Sequence, residues 1–193
     1  MTDRTADRPR RRLAGTLILA AALAFGGLDQ YIGSLYSSFA TAVSGMSAPW
    51  LLLPFAAGAA QVTRRSSAWI GLTATWLAVI GYVLMIDSPM EGSHPSLQLV
   101  AATAHSQWPW FLGGLISGPV YGVLGYLWRA RRSWLSAVLA AIPVLLEPLG
   151  NRLGFRPSMD LTASYAEAAV GLVLGLYFGF VLARAGRSRG TGP

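Results

Sequence analysis

Few side chains in this 193-residue chain could do chemistry, and the first to weigh are two carboxylates set in apolar stretches, Glu147 and Glu167. A carboxyl group in such a setting is costly unless it is paired, protonated or wetted, so its default reading is functional, with a structural hydrogen bond to a neighbouring helix as the commoner outcome. Glu167 falls in the row Ala163, Glu167, Gly171, Gly175, Gly179, Ala183, which puts it on a helix-facing groove. Glu147 lies nearer the end of its stretch, next to Pro148 and followed by Arg152 and Arg156. An ordinary ion pair is its expected role. Asp87, Glu91, His94 and His105 could offer oxygen and nitrogen to a metal, but their spacing matches no metal motif, and they are expected to be solvated loop residues. Ser117 has no histidine in another apolar stretch to activate it, and no second glutamate accompanies Glu147 or Glu167. With no cysteine, disulfides, cysteine-ligated metal and thiol chemistry are excluded. The expectation is a protein that is not an enzyme and carries neither cofactor nor metal.

What must position these residues is a set of membrane helices. The chain is 53% hydrophobic and only 12% charged, where soluble domains carry about a quarter charged residues, so lipid is the expected solvent. All fifteen basic residues are arginines, and thirteen fall into four clusters: Arg4, Arg8 and Arg10 to Arg12; Arg64 and Arg65; Arg129, Arg131 and Arg132; Arg184, Arg187 and Arg189. Each interval between clusters is long enough to cross a bilayer and return, so each cluster marks a return to one side. The formal charge of +7 does not point to nucleic acid, because the arginines sit at the ends of apolar runs rather than along a reading face.

The expected fold is therefore an all-α polytopic bundle of six helices in three hairpins, with both termini cytoplasmic in a bacterial inner membrane. The spans are read at about 13–33, 48–62, 67–86, 108–128, 133–149 and 161–183, between basic, disordered tails at 1–12 and 184–193. A signal peptide is the alternative for the first span, disfavoured by its length. Six of the eight acids lie toward the outer side, opposite the arginines, which would meet anionic lipid headgroups at the inner face. The stretch before Pro49 reads as a short helix over 36–43 near the outer surface, and Pro49 suits a first helical turn.

Glycine spacing predicts the packing. Gly114, Gly118 and Gly122 recur every fourth residue, as do Gly171, Gly175 and Gly179, and the first helix has a milder version in Thr16, Ala20 and Ala24. Small residues at that spacing let helix backbones approach in lipid, so these three helices are expected to make the closest contacts. A solute site is expected between the fourth, fifth and sixth helices, with Glu167 and Glu147 as anchors and Trp50, Trp108, Trp110 and Tyr165 near its mouth. The segments Ala48-Pro49-Trp50-Leu51 and Trp108-Pro109-Trp110-Phe111 hint at a parallel internal repeat.

Two resemblances follow from these residues. Ser47-Ala48-Pro49-Trp50-Leu51, Gly113-Gly114 and Gly118-Pro119-Val120-Tyr121-Gly122 resemble a family of uncharacterised small bacterial membrane proteins, which implies a fold without an activity. Gly118, Pro119 and Gly122, with Ala20 and Ala24, are also similar to segments of the S components of energy-coupling factor vitamin transporters, which would imply a shared transmembrane partner. The function expected is binding or transport of a small solute, and the alternative is a noncatalytic membrane scaffold that binds other helices.

Overall fold

A computed structural model describes residues 7–35, 37–152 and 161–187, and every regular element among them is helical. The helices are α1 (Asp7–Ser34), α2 (Ser38–Ser44), α3 (Ser47–Ala59), α4 (Arg64–Ile86), α5 (Leu97–Ser106), α6 (Trp108–Arg131), α7 (Trp134–Arg152) and α8 (Leu161–Arg187). Some helical side chains, including those of Glu167 and Arg152, lie outside the described residues, as do Tyr36, Arg156 and Asp160. Three helices are long and apolar enough to cross a membrane: Ala14–Ser34 of α1, α4 and α6. Their flanks carry large apolar side chains in the open, such as Leu17, Trp69 and Ile116, an arrangement that water disfavours and lipid accepts.

Local signals fix the helix ends. Thr63 caps α4 by accepting the Ser66 N–H (3.1 Å), and Ser96 caps α5 by accepting that of Leu99 (3.1 Å). α6 stops at Arg132, which takes a left-handed conformation (φ 49°, ψ 42°) and donates its N–H to the Trp128 carbonyl (2.9 Å). The segment 87–107, expected as a solvated loop, instead contains α5 and a 3-10 turn over Pro89–Glu91.

Backbone contacts set the helix directions. α1 runs parallel to α4, since Gly81 packs on the Leu23 carbonyl while Gly27, one turn further along α1, faces Met85, one turn further along α4. α6 runs antiparallel to α4, pairing Gly114 with Thr75, Gly118 with Gly71, and Gly122 with Ser67. α3 crosses α6 at Gly58 and Gly122 and runs parallel to it, since its C-terminal Ala59 meets Arg129 near the end of α6 while its N-terminal Ser47 lies at the opposite end of the bundle with Glu147. Hence the start of α1, the start of α4 and the end of α6 lie together, bearing Arg64, Arg65, Arg129, Arg131 and Arg132 on their termini. The other end of the bundle gathers Asp29, Ser47, Asp87, Trp108 and Glu147.

The glycine row of α6 is buried, and no side chain fits between it and its neighbours. A Cβ at Gly118 would lie 2.9 Å from the Leu72 Cα, and one at Gly122 would overlap the Ser67 carbonyl oxygen. Rows of residues four apart advance about 40° round a helix per step. The row therefore starts on α4 at Gly114 and turns toward α3 by Gly122 and Gly125, so each glycine finds a backbone to meet. The row on α8 departs from the expectation. Gly171 is buried, but Gly175 and Gly179 have open space where a Cβ would stand, because α8 packs chiefly on α7 and the winding row turns away from that interface. On α1 the contact face is Ala22 and Gly26, whereas Ala20 and Ala24 are exposed.

Two side-chain clusters complete the interior. Ala22, Ala57 and Ala74 bring α1, α3 and α4 together. Nearer the arginine end, Phe178 of α8 meets Trp128 (ring centroids 4.7 Å) and Phe55 (6.0 Å) edge-on, and the Arg132 guanidinium stands 5.5 Å over the Trp128 ring.

Candidate functional site

The short helix α3 is held at both ends by charged groups from other helices. Its 13 residues span about 20 Å, short of the roughly 30 Å of a hydrocarbon core. Since its C-terminus lies beside the start of α4 at the arginine end, its N-terminus stops below the far end of the 23-residue α4. An N-terminus there exposes N–H groups with no carbonyl to pair with. Met46, in the capping position, supplies no side-chain acceptor. The acceptor is Glu147 of α7, whose carboxylate receives the Ser47 N–H (2.7 and 2.9 Å to its two oxygens), the Ser47 hydroxyl (2.7 Å) and the Ala48 N–H (3.2 Å). Pro49 has no N–H to satisfy, so the first turn is completely accounted for. At the opposite end, Arg129 of α6 donates from a guanidinium nitrogen to the Ala59 carbonyl (3.0 Å). An anion at the N-terminus and a cation at the C-terminus are the arrangement that the helix dipole favours.

One turn into α3, Trp50 donates its indole N–H to Asp29 of α1 (3.3 Å). Asp29 is only 8% exposed. The indole also packs edge-on against Phe25 of α1 (5.4 Å) and Tyr82 of α4 (6.1 Å). Asp29 thus sits in a polar and aromatic knot where α1, α3 and α4 converge, inside the first candidate span. The described arginines on α4 and α6 lie at the opposite end of the bundle. An open apolar groove of about 450 Å³ lies alongside, between α1 and α4, bounded by Leu23, Gly27, Tyr31, Leu84 and Met85. Asp29 does not line it.

The expected site residues separate in the structure. Glu147 and Trp50 are drawn together by the first turn of α3, but Trp50 faces α1 and α4 rather than α6, α7 and α8. Glu147 acts as a helix cap, a role not expected of it. Trp108 and Trp110 are exposed at the start of α6, and Tyr165 is exposed on α8. The Glu167 side chain lies outside the described residues. Asp87, expected in solvent, is buried to 3% exposure and accepts the Thr103 hydroxyl (2.9 Å). Among the described residues no group of three His, Cys, Asp or Glu converges as a metal set, so His94 and His105 do not join Asp87.

Asp29 was missed as a site residue because, with Gln30 and Tyr31 beside it, it reads as part of the polar outer end of the span at 13–33. The helix ends at Ser34, close to the expected boundary, and it is packing against Trp50 of α3 that buries Asp29. The signal was present: Ala22, Gly26 and Asp29 share one face at the i, i+4, i+7 spacing.

A model of a family of unknown function (DUF6518) matches residues 5–191, and the chain belongs to that family. No curated protein matches the chain. No solved structure does either, so the likeness to energy-coupling factor S components gains no support.

Proposed function

We propose that this member of the family crosses a bacterial inner membrane six times with both termini cytoplasmic, and that it binds or transports a small, positively charged solute reached from the outer side. Positive-inside counting supports the topology, since thirteen of fifteen arginines fall in segments assigned to one side. The observation that carries the function is Asp29: an acid inside a candidate membrane span, buried against aromatic rings, with the Trp50 indole as its hydrogen-bond donor. Such an acid is expensive in lipid and is retained where a charge must be met. A cationic solute would supply the countercharge, and aromatic rings beside the carboxylate favour organic cations over hydrated metal ions.

The test is an uptake and thermal-shift panel of small ammonium ions, with ethylammonium and tetramethylammonium as first probes, on the protein in mild detergent and in proteoliposomes. Binding that saturates in the wild type and disappears in Asp29→Asn supports the reading. An Asp29→Asn variant that binds and transports as the wild type does removes it.

A second reading, a noncatalytic membrane scaffold, is favoured by α8. Its Gly175 and Gly179 face open space, flanked by exposed Leu172, Leu176 and Tyr177, which suits close approach of a helix from another protein. A stable complex lost in Gly175→Leu would select this reading over solute binding.

A further inference from the structure

We infer that the turn following α4 binds a hard divalent cation through Asp87 and Glu91. Asp87 closes α4 and is 3% exposed, and one of its carboxylate oxygens accepts the Thr103 hydroxyl of α5 (2.9 Å). The other, Oδ2, is buried with no hydrogen-bond donor. Glu91, four residues on at the end of the 3-10 turn, likewise has a buried oxygen, Oε1, with no donor. The intervening chain is folded tightly: the Ser93 N–H donates to the Ser88 carbonyl (3.3 Å) and the Ser93 hydroxyl to the Ile86 carbonyl (3.3 Å).

Two anionic oxygens withdrawn from water without donors carry a large desolvation cost. Two features raise it. Asp87 stands at the C-terminus of α4, where the helix carbonyls add negative potential to its own charge. The described arginines on α4 and α6 are at the far end of the bundle, so none of them can answer it. A cation from solution can. Two carboxylates, neighbouring hydroxyls and backbone carbonyls are hard oxygen donors, and the histidines do not converge there, so calcium or magnesium fits where zinc does not. Two carboxylates with water completing the shell is a common magnesium arrangement, while a fuller set of protein oxygens suits calcium. The bound ion ties the end of α4 to the loop leading into α5, through the carboxylate that Thr103 already orients.

The experiment uses the full chain in mild detergent, stripped with a chelator, with calcium chloride and magnesium chloride titrated separately by calorimetry and by thermal unfolding. We expect one ion per chain, a dissociation constant on the order of 10⁻⁴ to 10⁻³ M, and a rise in the unfolding midpoint of roughly 5 °C at saturation. Asp87→Asn and Glu91→Gln, each shown by circular dichroism to be folded, should each weaken binding at least tenfold. Absence of saturable binding in the wild type overturns the inference, as does unchanged binding in either variant. A metal-free Asp87→Asn protein as stable as the metal-loaded wild type would also overturn it.

Discussion

Replacing Gly122 by alanine tests whether backbone contact, rather than side-chain burial, holds α4, α3 and α6 together. The added methyl would overlap the Ser67 carbonyl oxygen, lie 3.1 Å from that carbonyl carbon and 3.2 Å from the Gly71 Cα, where ordinary contact begins at 3.4 Å. All three obstacles are backbone, so no rotamer change relieves them, and α4 and α6 must part by roughly 1 Å. A gap of that size forfeits a quarter to a half of the dispersion attraction along the seam. Overpacking of this kind costs about 1–3 kcal/mol, with the upper part expected here, while alanine returns up to about 1 kcal/mol in helix propensity. The net expectation is a loss of about 2 kcal/mol. Gly113 provides the control on the same helix: it is exposed with nothing within 4 Å of a Cβ, so Gly113→Ala should be neutral or stabilising by up to about 1 kcal/mol. Both variants would be unfolded by dodecyl sulfate in mixed micelles and followed by circular dichroism. Equal midpoints for the two variants, or a stabilised Gly122→Ala protein, would refute the argument.

Two further outcomes follow from the same geometry. Glu147→Gln keeps one acceptor oxygen but presents an amide N–H₂ to the first turn of α3, and should lose about 2 kcal/mol in the same unfolding assay; Arg129→Gln, at the opposite terminus, should lose less. If thirteen arginines mark the cytoplasmic side, alkaline phosphatase fused after Arg131 should be inactive, and fused after Gly92 it should be active.

Much of the bundle was readable from the order of residues, for identifiable reasons. Apolar runs bounded by arginines give helix positions because lipid demands them, and α4 and α6 fall where those runs fall. The α6 glycines were legible as a packing row because α6 has neighbours on two sides for a winding row to follow. The equivalent row on α8 looked the same in sequence, and nothing in its spacing says that α8 packs chiefly on one helix, α7. The choice of Ala22 and Gly26 over Ala20 and Ala24 was equally hidden, since in an alanine-rich helix several faces are small and only the partner decides between them. α5 was lost in a segment judged by its charges, although Ser96 followed by Leu97 and Val100 carries a cap and an apolar spacing. Glu147 was read against nearby arginines because sequence proximity is visible; its actual donors lie a hundred residues away.

A ladder of glycines jammed carbonyl to backbone leaves α1, α3, α4 and α6 almost no freedom to slide or roll past one another. Relative motion of the helices therefore falls to α7 and α8, which meet that block through Ala137, Ala140 and Phe178 and through one acid on the amides of α3. Glu147 is in that sense a latch: releasing it would free the far end of α7 and at the same moment bare the positive pole of a half-length helix beside Trp50.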